Sequence, residues 1–118
     1  MYRKIAAEEL ANFLGAISHP ERIRIIEELR HGELDVTTLQ ERLAIPQATV
    51  SRHLGVLKTQ TIVAERKDGR RVYYRLTVPV LASWLISGLD IIGEKSTQGV
   101  PLSKAFDSAK KLWASQKR

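Results

Sequence analysis

Pro46 separates two short segments that each have the apolar spacing of a helix, and this arrangement strongly constrains the fold of the chain. Apolar side chains fall on one helical face over residues 36–43 and again over residues 47–57. Because proline lacks an amide hydrogen and disfavours helix in the residue before it, Pro46 ends the first helix and suits the start of the second. The segment therefore predicts a helix–turn–helix.

The second of these helices has a polar side of the kind that reads bases in a DNA major groove. Val50, Leu54 and Leu57 form its predicted buried stripe. Short hydrogen-bonding residues and an arginine lie off that stripe near the amino-terminal end, and such side chains reach base edges. The DNA contacts predicted from this helix are Gln47, Thr49, Ser51, Arg52 and His53. For His53 the alternative is a solvent-exposed or capping histidine.

A basic hairpin is predicted after the helix–turn–helix. Two β-prone runs, 62–66 and 71–76, flank Asp68 and Gly69, which tolerate the positive φ angles of tight turns. Residues 47–75 hold seven Lys or Arg against two acids, a net +5 of the formal +6. Such a localised excess is typical of a surface that faces phosphates. The predicted phosphate or minor-groove contacts are Lys58, Arg66, Lys67, Arg70 and Arg71. The alternative is a solvated turn.

The composition indicates one domain over residues 1–118. With 118 residues, 43% of them hydrophobic, the chain can bury a modest core. No run approaches the ~20 apolar residues of a membrane span, and the amino-terminal residues contain no signal-peptide core. We therefore expect a cytoplasmic protein with no membrane partner. The absence of cysteine excludes disulfides and cysteine-based metal sites.

Four more amphipathic helices are predicted, over residues 5–17, 21–30, 81–92 and 102–115, with a loop over 93–101. A chain this short cannot easily bury all of their apolar stripes. The helices at the two ends therefore predict a dimer interface, and packing within the core of one chain is the alternative. The residues assigned to the interface are Leu10, Phe13, Leu14, Leu81, Trp84, Leu85 and Leu89.

Four motifs in order, AISHPERIRII (16–26), GEL (32–34), TVSRHLGVL (49–57) and GRRVYY (69–74), resemble the ArsR/SmtB family of bacterial winged-helix repressors. The resemblance covers roughly residues 10–92. It implies a mainly α fold with a small β-hairpin, a winged helix–turn–helix that pairs as a homodimer. It also implies repression by binding double-stranded DNA at an imperfect palindrome, relieved by an inducer.

The chain departs from this family at the positions where some members bind metal. It has Asp35-Val36-Thr37 where those members have a Cys-Val-Cys motif, and no histidine follows Leu76 on the late helix that carries the other common site. Residues 60–61 stand where the family has a glycine. His19 is predicted to be structural and His31 to be a helix-end cation. Three histidines spread over 35 residues predict no metal cluster, and we predict no metal and no cofactor.

These features predict a sequence-specific transcriptional regulator, a repressor that binds a palindromic operator as a homodimer. The alternative is a winged-helix module that binds another protein through its apolar helices. An enzyme is not predicted, because no nucleophile, metal or phosphate-loop constellation is present. Four alternatives stay open for the inducer: a small molecule at the dimer interface, a metal ion at an atypical site of carboxylates and histidines, a partner protein, or no inducer at all.

Overall fold

The computed structural model describes residues 1–95 and 100–115. The helices in these ranges are α1 (Tyr2–Ile17), α2 (Pro20–Glu28), α3 (Val36–Leu43), α4 (Gln47–Thr59), α5 (Leu81–Lys95) and α6 (Val100–Ser115). The strands are β1 (Leu34–Asp35), β2 (Val63–Asp68) and β3 (Arg71–Leu76), joined in one antiparallel sheet of order β1-β3-β2. Within the described ranges, none of the helices combines the length and apolar character that a membrane crossing needs.

The helix–turn–helix consists of α3 and α4, as predicted. Ala44 ends α3 in the left-handed conformation with φ +55°, which reverses the chain. Pro46 is extended and caps α4, and its carbonyl oxygen accepts hydrogen bonds from the amides of Thr49 and Val50 at 3.0 and 3.1 Å. The missing amide of Pro46 therefore costs the second helix no hydrogen bond.

The β2–β3 hairpin, called the wing below, turns through Gly69 and Arg70, since Asp68 pairs with Arg71. Gly69 has φ +61°, the conformation that a two-residue hairpin loop requires of its first residue. The predicted hairpin is thus confirmed. Strand β1 adds a third strand that the sequence did not predict, because two residues are too few to show alternation. It joins the wing to the connection between α2 and α3.

The core lies between α2, α3, α4 and the base of the wing. Its fully buried side chains belong mostly to the three helices, and burying each aliphatic one contributes roughly 1.5–3 kcal/mol. They are Ile25, Ile26, Leu29, Leu39, Val50, Leu54, Leu57 and Val63. Because α4 contributes three of these, its orientation is fixed by the same packing that stabilises the domain.

The predicted loop over residues 93–101 is wrong at both ends. Helix α5 continues to Lys95, and α6 begins at Val100; residues 96–99 lie outside the described residues. Gly93 is accommodated inside α5, where the position of its Cβ faces the ring of Phe106 at 3.7 Å. Pro101 stands at the second position of α6, where an amide has no partner within the helix. The other predicted helices and strands end within three residues of the observed ends.

Candidate nucleic-acid interface

Helix α4 presents one polar face to solvent. Gln47, Ser51 and Arg52 are exposed on it, and Thr49 is half-buried. Gly55 continues this face one turn after Ser51, and outside its own helix turn no atom of the described residues lies within 4 Å of the position that its Cβ would take. The packing of the chain therefore does not require glycine at this position, whereas a helix that lies close to another molecule gains from a small residue there. The sequence did not single out Gly55.

The tip of the wing carries three exposed cations, Lys67, Arg70 and Arg71. Among the residues described, no carboxylate forms an ion pair with any of them or with Arg52. Their charges are thus available to an external anion. In a winged helix–turn–helix this tip lies beside the second helix, where DNA phosphates run along the groove.

Two of the predicted phosphate contacts, Lys58 at the end of α4 and Arg66 on β2, already have partners within the chain. Lys58 Nζ lies 2.6 Å from Glu65 Oε1. Arg66 donates two hydrogen bonds to the carboxylate of Glu33, at 2.6 and 3.2 Å, and its guanidinium lies 4.6 Å from the centre of the Tyr73 ring. Lys58 and Arg66, both predicted as phosphate contacts, would have to exchange these partners for a phosphate.

A hydrogen-bond network connects the end of α4 to the wing through Glu65. The hydroxyl of Tyr74 donates to Glu65 Oε2 at 3.0 Å, and Lys58 holds the other carboxylate oxygen. Burial, together with the bond to Glu65, raises the pKa of Tyr74 to about 12. Hydrogen bonds from Lys58 and Tyr74 lower the pKa of Glu65. At neutral pH the phenol is therefore protonated and the carboxylate ionised, the states that this network needs.

The structure corrects the prediction for His53, which does not lie on the polar face of α4. The residue is 3% exposed, and its Nδ1 accepts a hydrogen bond from Arg22 Nε at 3.1 Å. His53 follows Val50 by three residues and precedes Leu57 by four, so helical geometry places it on the buried stripe. It cannot reach DNA from there. The spacing in the sequence was sufficient to show this.

His53 belongs to a cluster with two residues from the start of α2. His19 caps α2 as predicted for a structural residue, since its Nδ1 accepts from the amide of Glu21 at 3.1 Å. The two imidazole rings are 4.4 Å apart, and His53 Nε2 lies 3.7 Å from Glu21 Oε2. Desolvation, with smaller contributions from His19 and Arg22, lowers the pKa of His53. The expectation that the histidines are scattered is therefore wrong for His19 and His53.

The residues assigned to a dimer interface differ in their exposure within the single chain. Leu10 and Trp84 are 52% and 50% exposed, Leu14 is also exposed, and the rings of Phe13 and Trp84 lie 6.1 Å apart. Leu85 and Leu89 are half-buried. Leu81 is 7% exposed within the single chain and packs mainly in its core, so its assignment to the interface is corrected: only a small part of its side chain can meet a partner.

An open groove of about 350 Å³ lies between α1, the start of α5 and the base of the wing. Leu10 and Trp84 form part of its wall, and Ile62 and Thr77 come from the sheet side. The groove is continuous with the exposed apolar side chains of α1 and α5.

Comparison with known proteins places this geometry in a family. A family model described as a helix-turn-helix domain matches residues 17–66. The crystal structure of the transcriptional repressor BigR from Xylella fastidiosa is 37% identical, has a TM-score of 0.66, and is matched over 76% of this chain and 91% of that one. The chain belongs to the ArsR/SmtB family.

Two further comparisons define how far the likeness goes. A solution structure from Mycobacterium bovis, described as a homodimeric winged helix-turn-helix DNA-binding domain and a possible ArsR-family regulator, has a TM-score of 0.69 over 83% of this chain and 94% of that one. Its 23% identity supports the fold alone. A biofilm growth-associated repressor from Xylella fastidiosa is 41% identical over 71 residues, which are 60% of this chain and 62% of that protein's length. The predicted family and winged helix–turn–helix fold are confirmed.

As an ArsR/SmtB member, the chain has two departures that the structure explains. Thr61 has φ +60°, the conformation that the glycine expected after the second helix would adopt freely, so its β-branched side chain is strained there. Its carbonyl oxygen accepts from the Thr77 hydroxyl at 2.6 Å, which helps to hold the turn. Asp35 stands at the position of the first missing cysteine, and its carboxylate accepts a hydrogen bond from the Thr38 hydroxyl, which lowers the pKa of Asp35.

Proposed function

We propose that this ArsR/SmtB protein is a transcriptional repressor that binds double-stranded DNA as a homodimer at a palindromic operator. The observation that carries the proposal is the exposed polar face of α4 in a domain whose wing ends in three cations that pair with no carboxylate of the described residues. The name of the Xylella fastidiosa relative, a repressor in both the sequence and the structure comparison, supports it. A repressor needs no catalytic residues. It acts on the chromosome, so this function also implies a cytoplasmic protein.

In this proposal α4 enters the major groove of each half-site. Gln47, Ser51 and Arg52 reach base edges, and an arginine there pairs best with the two acceptors of a guanine. Lys67, Arg70 and Arg71 contact phosphates or the minor groove from the wing. The wing contacts strengthen binding to every sequence, whereas the α4 contacts choose among sequences.

Dimerisation is supported by the apolar residues that α1 and α5 leave exposed. Leu10, Leu14, Trp84, Ile91 and Ile92 are each at least 42% exposed. Exposed apolar side chains concentrated on two helices are typical of an interface between chains. A two-fold pair of α4 helices requires half-sites about 34 Å apart, or a multiple of that distance, so the operator should be an inverted repeat.

The test is selection of bound fragments from random and genomic DNA at near-physiological salt, with the oligomeric state measured in the same buffer. We expect enrichment of an inverted repeat and a stoichiometry of two chains per site. Affinity for the enriched site should fall linearly with the logarithm of salt concentration. A folded dimer that enriches no motif and shows no salt-dependent DNA binding would instead favour the protein-interaction module.

A further inference from the structure

We propose that His19, Glu21 and His53 form a binding site for one divalent transition-metal cation, with Zn²⁺ as the cation to test. One potential ligand atom from each residue lies within 4.8 Å of the other two. Two of the residues are at the start of α2 and the third is on α4, so a bound cation would bridge these helices. The site is remote in sequence from the cysteine position and from the late helix, where family members were expected to bind metal.

The distance between two of the ligand atoms is close to that in a coordinated site, and the third lies within 4.8 Å of both. Zinc bonds of about 2.0–2.2 Å place neighbouring tetrahedral ligand atoms roughly 3.4 Å apart, and His53 Nε2 is already 3.7 Å from Glu21 Oε2. His53 is held rigidly by the core, while His19 is half-buried and the Glu21 side chain is 36% exposed. Rotation of these two side chains would close the site, and a cation could enter from their side.

Glu21 supplies an independent observation. Its Oε2 is buried, and no hydrogen-bond partner for it is found among the described residues. A buried carboxylate oxygen without a donor is costly, so such an atom calls for an explanation. A cation between Glu21 and His53 would provide one.

The donor set selects the class of cation. Two imidazole nitrogens and one carboxylate oxygen match zinc sites that keep a fourth position for water. Imidazole suits Zn²⁺, Ni²⁺ and Co²⁺, whereas Mg²⁺ and Ca²⁺ prefer sites made of oxygen alone. The site should therefore bind the first group and discriminate against the second.

Metal binding would change hydrogen bonds that position α4. The Nδ1 atom of His19 accepts a hydrogen bond from the amide of Glu21, and the Nδ1 atom of His53 accepts one from Arg22. Nε2 is therefore the nitrogen of each ring that is left for a metal. A neutral ring that binds metal through Nε2 carries its proton on Nδ1, which then donates and cannot accept. Arg22 would retain its bond to the Ala16 carbonyl but lose its bond to His53, and the Glu21 amide would likewise lose its bond to His19. This consequence for DNA rests on the proposed function; metal binding itself does not.

The first experiment measures metal binding without DNA, using the full chain free of any affinity tag and stripped of metal. Calorimetry with Zn²⁺ and visible absorption with Co²⁺ should give one cation per chain. Glu21→Gln keeps the side-chain shape, and His19→Asn keeps a capping oxygen, so both should fold, as circular dichroism would verify. Each should lower the affinity by roughly tenfold or more. His31→Gln is the matched control, because His31 is exposed and outside the cluster.

Three outcomes would each overturn the site. Zn²⁺ fails to bind at one cation per chain, the cluster variants bind it as tightly as wild type, or His31→Gln loses the binding. A second experiment measures affinity for the selected operator with and without Zn²⁺. We expect Zn²⁺ to weaken DNA binding by wild type and His31→Gln, and not by Glu21→Gln. Zinc binding with no effect on DNA affinity would overturn the coupling alone. A protein that binds zinc as proposed but no DNA would contradict the proposed function and leave the metal site standing.

Discussion

The two faces of α4 serve different purposes, although they belong to one helix of 13 residues. The inner face, with Val50, Leu54 and Leu57, is fully buried and packs against α2 and α3. The outer face has Ser51, Arg52 and Gly55, which are all exposed. Packing therefore fixes where the outer face points, and the outer face contributes little to folding. Substitutions on the two faces should separate protein stability from DNA affinity.

The largest effect is expected on the inner face. Leu54→Ala should lower the free energy of unfolding by about 2–5 kcal/mol, because it removes a fully buried side chain and leaves a cavity. Chemical denaturation measures this loss. The fraction of protein that stays folded should still bind operator DNA with its normal specificity. Unchanged stability would contradict the assignment of this face to the core.

Arg52→Ala should show the reverse pattern. If Arg52 reads a guanine, the variant loses about 1–3 kcal/mol of discrimination between operator and random DNA. Its stability should match wild type, because the side chain is exposed. Competition binding with the two DNAs measures the discrimination.

Arg70→Ala is the matched control for Arg52→Ala. It should weaken binding to operator and random DNA alike and reduce the salt slope by about one. Equal losses on both DNAs for both variants would remove the division between base-reading and phosphate-binding residues.

The sequence was sufficient to predict α3, α4 and the wing, because their signals are local. Pro46 marks the turn between the helices, and Gly69 marks the hairpin. The same local reasoning failed for His53, which was classed by its polarity although its spacing from Val50 places it inside. A polar residue on an apolar stripe needs partners to be buried, and here Arg22, 31 positions earlier, provides one.

Contacts between distant residues account for most of what could not be predicted. Arg66 lies in a run of cations that suggested phosphate binding, yet it pairs with Glu33, 33 positions earlier. The cluster of His19 and His53 likewise depends on how α2 packs against α4. Neither pairing has a sequence signal, since both partners occur in ordinary local patterns. Of the cations predicted to contact DNA, Lys58 and Arg66 thus have partners within the chain, whereas Arg52, Lys67, Arg70 and Arg71 form no ion pair among the described residues.

Gly55 tests the outer face with a smaller change. Gly55→Ala should raise the free energy of unfolding by about 1 kcal/mol, because alanine favours helix and its methyl group would meet no other described element of the chain. Gly55→Leu should stabilise the helix similarly, but its larger side chain should weaken DNA binding. Thermal unfolding and DNA titration compare the two variants. Normal DNA affinity in Gly55→Leu would mean that this turn of α4 does not approach DNA.

The smallest effect concerns pH and returns to the inner face. Burial lowers the pKa of His53 in the folded chain, so folding favours the neutral imidazole. The stability that it contributes is therefore fully present above the unfolded pKa of about 6.5 and is lost as pH falls through the lower folded value. Thermal midpoints measured between neutral and mildly acidic pH should fall for wild type and fall less for His53→Gln.

Since protonation of Nδ1 also removes the acceptor for Arg22, DNA affinity should fall over the same pH range in wild type. If His53→Gln responded to pH as strongly as wild type, the response would belong to other titratable groups. The inner face of α4 would then have no role beyond packing.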